Sequence, residues 1–170
     1  MGSAAILKHG ALAGITLVLM LAPYKALPSD KCDPSVLTVQ SQNVEISFNV
    51  TVVDTEALRA KGLMYVDHLP QSEGMLFVYP TPSKRYFWMK NTLIKLDMLF
   101  ADQAGRVSFI YENAVPLDET PIYGGDEIQF VLEINGGLSD RYGMEVGAML
   151  HHPGIPSSDR ACPNELQDQD

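Results

Sequence analysis

From residue 44 onward, apolar and polar positions alternate with the period of two that marks a strand with one covered face. Val44, Ile46, Phe48, Val50 and Val52 share one parity in a segment that starts at Leu37. Glu127 to Ile134 is the clearest case. There Ile128, Phe130, Leu132 and Ile134 fall on one face, and Gln129, Val131, Glu133 and Asn135 on the other. Val107, Phe109 and Tyr111 alternate again after the turn Asp102-Gln103-Ala104-Gly105. Met75 to Tyr79 is apolar throughout, which predicts a short strand covered on both faces. Further strands are predicted over Tyr86 to Met89, Leu93 to Ala101 and Val146 to Leu150. Pro80-Thr81-Pro82-Ser83 and the Pro- and Gly-bearing segment from Asn113 to Asp126 read as loops. Asp54 can cap a short helix over Thr55 to Lys61, stopped by Gly62, and Gly136 to Gly143 is a turn or a second short helix. Short strands at regular spacing, joined by Gly/Pro turns, predict a single mainly β domain: a β-barrel or jelly-roll-like sandwich with one or two short helices. Parity assigns Phe77, Met98, Phe109, Phe130 and Leu132 to one core.

The first 26 residues stand outside this pattern. Gly10 to Ala22 is an apolar run of thirteen residues after Lys8, ended by Pro23. A spanning helix needs about 20 such residues, so residues 1–26 read as a signal peptide with Ala26 as cleavage residue. Tyr24 is bulky for its place in such a site, and an uncleaved N-terminal membrane anchor is the alternative. Residues 27–43 are then an N-terminal arm, 44–152 the β domain and 153–170 a polar tail. The expectation is export, to a periplasm or the outside, with no membrane insertion after cleavage.

Charge narrows the partners. The chain carries 12 Lys and Arg against 21 Asp and Glu, a net charge of −9. Loss of Lys8 and Lys25 with the leader leaves 10 − 21 = −11. Nucleic acid and anionic membrane surfaces demand cation clusters, so neither is an expected partner. The two cysteines, Cys32 and Cys162, lie near the two ends of the mature chain. In an oxidising compartment they read as one disulfide between the terminal arms. His151 and His152 are adjacent and so point to opposite faces of a strand, which makes no metal site.

Three motifs stand close together: R-x-x-G-L-M from Arg59, G-M-L-F-V from Gly74, and F-W-M-K-N-T-L-I-x-L-D-M-L-F from Phe87. A-V-P at Ala114, Y-G-G at Tyr123 and V-L-E-I-N-G-G at Val131 follow. On these residues, over about Val44 to Leu150, the chain resembles the domain-of-unknown-function 192 family. The resemblance implies an exported, single-domain bacterial protein with a β-barrel or jelly-roll-like fold. It brings no established reaction. Lys95 departs from the family's usual Pro, which loosens the turn before Leu96 and leaves the polar positions in place.

The candidate chemistry lies where single polar residues interrupt apolar strands. Arg59, Lys90, Asn91, Asp97, Glu133 and Asn135 are such positions, with Trp88 and Tyr123 as an apolar wall. One reading is a pocket for a small polar or anionic ligand, or a contact for an envelope partner, with Arg59 and Lys90 facing negative charge. In a second, Asp97 and Glu133 work as paired carboxylates with Lys90 in a hydrolase- or lyase-like enzyme. A third is a purely structural interaction module of the cell envelope, its polar residues a satisfied network with Lys90 held by Asp97 or Glu133 and the asparagines bonding turn backbones. No serine stands in a nucleophile elbow and no glycine-rich phosphate loop occurs, so no cofactor is expected. The oligomeric state is left open.

Overall fold

A computed structural model describes residues 1–2, 33–42 and 44–156. The leader, Cys32 and Cys162, and with them the expected disulfide, lie outside the described residues. Seven strands and two short helices form one domain in the order β1 (Val36–Ser41), β2 (Val44–Val53), α1 (Glu56–Lys61), β3 (Glu73–Phe87), β4 (Leu96–Ala101), β5 (Val107–Ala114), β6 (Ile122–Asn135), α2 (Leu138–Arg141) and β7 (Met149–His151). The strands make one sheet in the order β5-β4-β6-β3-β2-β1-β7. It curls until its edges meet: Arg106 bridges Met149, Val107 N donates to Ala148 O at 2.8 Å, and Leu150 N donates to Gly105 O at 2.8 Å. The result is a barrel-like sheet closed at one corner, in line with the mainly β expectation.

The stretch 27–43, expected as an arm, contributes β1, whose Leu37 and Val39 are buried. All neighbouring strands are antiparallel except β2 and β3, which run parallel from Asn49↔Glu73 to Val53↔Phe77. A parallel pair needs a crossover, and α1 with the loop after it supplies one. Thr55 caps α1, its hydroxyl accepting from Leu58 N at 3.3 Å, one residue later than the expected Asp54. Gly62 ends it at a φ of 47°, and a Cβ there would meet the Phe77 ring at 3.2 Å.

The single core predicted from parity is two cores, one on each face of the sheet. Phe130, Leu132, Leu76 and Leu99 face the barrel interior with Leu37, Phe48 and Leu150. Phe77, Met98, Phe100 and Val131 face outward and are covered by Leu63 and Leu69 of the crossover. Period two tells which residues share a face; it cannot tell what covers the opposite one. Phe109 departs from the expectation. It is 38% exposed, because β5 is an edge strand beyond the reach of the crossover, and its ring stacks on Phe100 at 5.8 Å.

Strand β3 runs through the predicted loop at Pro80 to Ser83. Its pairing with β6 shifts register between Val78 and Ser83, so the prolines fall where the ladder is already interrupted. Likewise β6 begins at Ile122, inside the segment predicted as loop up to Asp126.

Candidate functional site

The crossover lies over the outward face of the sheet without filling it. A cavity of about 640 Å³ remains between α1, β3 and the turn after β3, with Arg59, Tyr79, Arg85, Trp88, Lys90 and Glu133 among its lining. That size is typical of small-molecule sites.

Tyr79 is its centre. The Arg85 guanidinium stacks 3.6 Å from the centroid of its ring, and that of Arg59 lies at 4.8 Å. Arg59 Nη1 donates to Val78 O at 2.8 Å and to Asp54 O, which ties α1 to β3. Arg85 donates from Nε to Ile128 O at 3.4 Å and from Nη2 to Thr81 O at 3.0 Å. The partners of both guanidinium groups are thus backbone carbonyls and a ring face, with no carboxylate among the described residues. Burial pushes the Tyr79 phenol above its usual range, and the two arginines pull it the other way. Lys90 lies beside the Trp88 ring at 5.0 Å and pairs with Glu119 at 3.9 Å.

Glu133 lines the same cavity at 4% exposure. Its cross-strand neighbours are Met75 on β3 and Met98 on β4, which puts all three side chains in one row on the outward face. Two thioethers solvate a carboxylate poorly, and burial alone pushes this carboxyl up to about 8. It has no hydrogen-bond or ion-pair partner among the described residues. At pH 7 it is a neutral acid facing a cavity that also holds Arg59, Lys61, Arg85 and Lys90 against Glu56. The cavity is therefore a positive spot in a chain of net charge −9.

The other sequence candidates lie elsewhere. Asp97 is fully buried and accepts four bonds: Asn113 N at 2.8 Å and Gly137 N at 2.9 Å on Oδ1, Ser139 N at 2.8 Å and Ser139 Oγ at 2.7 Å on Oδ2. It clamps the end of β5, the Gly136-Gly137 turn and α2, and does not line the cavity. The expected ion pair of Lys90 with Asp97 or Glu133 is replaced by the one with Glu119, because Asp97 is occupied by main-chain donors. Asn135 Nδ2 bonds Leu69 O at 2.8 Å and holds the crossover loop. Asn91, at a φ of 55°, bonds Met64 Sδ at 3.8 Å and shapes the turn below Trp88. Tyr123 packs on Tyr86 at 5.2 Å beside a second cavity of about 590 Å³ that it shares with Phe109 and Asp126. His151 and His152 bond Gln40 and Pro34 O, and no group of three or more His, Cys, Asp or Glu among the described residues is placed to hold a metal.

Sequence reasoning missed Tyr79 and Arg85. The signal was present in the aromatic run Tyr86, Phe87 and Trp88 directly after Arg85 and in Tyr79 at the end of an apolar strand. The two prolines masked it.

These features define a small, mainly β domain with a cation-lined cavity under a crossover helix. The chain belongs to the DUF192 family, described as "Uncharacterized ACR", whose profile matches residues 37–152. No curated protein matches it. Among solved structures, a protein of unknown function from Novosphingobium aromaticivorans is 36% identical with a TM-score of 0.67, over 81% of this chain and 99% of that one. A putative transcription regulator from Sinorhizobium meliloti is 32% identical with a TM-score of 0.69, over 71% of this chain and 94% of that one.

Proposed function

We propose that this domain binds a small ligand bearing an anionic group in the cavity under α1, with Arg59 and Arg85 as the anion's partners. The supporting observation is the pair of guanidinium groups on Tyr79 that meet only carbonyls and a ring. Arginine presents a fork of donors suited to carboxylate and phosphate, and here several of those donors have no partner among the described residues. Phe77, Phe87 and Trp88 offer an apolar body of the ligand a wall to pack on. The neighbour named a putative transcription regulator does not extend this reading to DNA, since the cations here are gathered around one cavity of an acidic chain.

The test is a thermal-shift screen of carboxylates and phosphates. A binder is expected among them, and Arg85→Ala is expected to weaken it roughly tenfold or more, the value of a charge-assisted hydrogen bond. Anions that bind Arg85→Ala as well as the parent would sink the reading.

Export is part of the proposal and rests on the apolar run from Gly10 to Ala22 and on Cys32 and Cys162. Intact mass of the protein recovered from cells is expected to lack residues 1–26 and two further hydrogens. A full-length mass with free thiols would contradict both points.

A further inference from the structure

Glu133 is the group that anion binding leaves unused. It is buried, unpartnered among the described residues and open only to the cavity. A neutral hydrogen bond at this place would be served as well by glutamine. What a carboxyl adds is the capacity to become an anion opposite a cation. Among the described residues no cation pairs with it. Arg59 of α1 and Arg85 of β3 engage Tyr79, Lys90 engages Trp88 and Glu119, and burial is the one cause acting on the Glu133 carboxyl. Tyr79 is touched electrostatically by both arginines and by Glu133. The lining of the cavity therefore includes an anion-seeking pair, Arg59 and Arg85, and a cation-seeking group, Glu133.

We propose, building on the anion-binding reading, that the ligand is a zwitterion with separated charges, a short peptide in chemical class, whose carboxylate meets Arg59 and Arg85 and whose ammonium meets Glu133. The cavity, at about 640 Å³, has more room than a single amino acid fills. The termini of a dipeptide are several bonds apart, and its side chains suit the walls formed by Phe77, Phe87 and Trp88.

Binding of this kind displaces a proton. The ammonium favours the ionised Glu133, so the carboxyl proton leaves to solvent as the ion pair forms. The remaining ionisable groups around the cavity are Glu56 and Lys61 of α1, Tyr79 of β3, and the three cations already named. No histidine is among the lining residues.

The experiment is isothermal titration of the full chain with three matched probes: L-alanyl-L-phenylalanine, its N-acetyl derivative and its C-terminal amide. The free dipeptide is expected to bind at least tenfold more tightly than either blocked form. In two buffers of different ionisation enthalpy at pH 7, it is expected to release close to one proton. Its affinity is expected to rise nearly tenfold per pH unit between pH 6 and 7.5, the limit for one linked proton. Glu133→Gln is expected to abolish the release and to bring the free dipeptide down to the affinity of the acetylated one. The pH profile of the unmodified protein carries the test if that variant fails to fold. Equal binding of the free and acetylated dipeptides, with no proton release, would overturn the zwitterion and leave anion binding standing. Equal binding of the free dipeptide and its amide, unchanged in Arg85→Ala, would overturn both. Absence of binding by all three probes overturns the zwitterion, and the screen of carboxylates and phosphates then decides anion binding separately.

Discussion

Asp97→Ala is expected to destabilise the domain by roughly 4 kcal/mol or more, since each buried donor left without a partner costs about 1–3 kcal/mol. Four donors from three segments end on this one carboxylate: Asn113 N, Gly137 N, Ser139 N and Ser139 Oγ. All three segments turn sharply there, Asn113 and Gly137 at positive φ, so none can recover its bond by joining a neighbouring strand. Asparagine is not a conservative exchange. It keeps one oxygen for one pair of donors and turns an amide NH₂ toward the other pair. The expected order of stability is therefore parent, then Asp97→Asn, then Asp97→Ala. Urea unfolding followed by circular dichroism reads it as falling midpoints at a constant slope. Because Asp97 does not line the cavity, a folded Asp97→Asn is expected to bind ligand as the parent does. A loss in Asp97→Ala below about 1 kcal/mol, the range of surface changes, would mean that the clamp is slack.

Asp97 and Glu133 look alike in the sequence, each a single acid in an apolar strand, and the sequence reading paired them. What separates them is invisible in side-chain identity. The donors to Asp97 are mostly main-chain N–H groups that come to it from residues 16, 40 and 42 positions away. Glu133 has two methionines as strand neighbours, and this follows from register, which a sequence does not print. By contrast, the alternation in β2 and β6 was legible because each strand has one face inside the barrel and a wrong register would expose it. Arg59, Trp88, Lys90 and Glu133 were singled out as polar or aromatic breaks in apolar runs, and all four line the cavity. Tyr79 and Arg85 were hidden by Pro80 and Pro82, which ordinarily end a strand but here occupy a break in the ladder. The division into two cores was out of reach for a related reason. The covering of the outward face comes from a crossover whose helix has good helix formers but only 6 residues between Glu56 and Lys61, too short to announce a packed layer.

Glu133 sets the second large effect, on stability as a function of pH. In the fold its carboxyl titrates near 8, against 4.5 in the open chain. Between those values the folded protein holds a proton that the unfolded chain has already lost, so stability falls as pH rises. The contribution is complete below pH 4.5 and gone above 8. From pH 5 to pH 9 the loss attributable to this group is roughly 4 kcal/mol, at about 1.4 kcal/mol for each pH unit up to 8. Other groups titrate over the same span, and a variant isolates this one. Glu133→Gln keeps the shape and cannot ionise, so the stability difference between it and the parent is expected to shift by that amount in favour of the variant at the alkaline end. Denaturant melts of both proteins at pH 5, 7 and 9 measure the shift. A bound ammonium is expected to cancel part of it, since it supplies the charge that Met75 and Met98 cannot. The parent's pH 9 melt should therefore recover toward its pH 5 value when saturated with a binding zwitterion whose ammonium stays protonated at that pH, as an α-amino group does not, while that of Glu133→Gln gains only the ordinary stabilisation of any ligand. If the difference between parent and variant stays constant from pH 5 to 9, the carboxyl is already solvated or paired in the folded protein, and the site at Glu133 is not the one described.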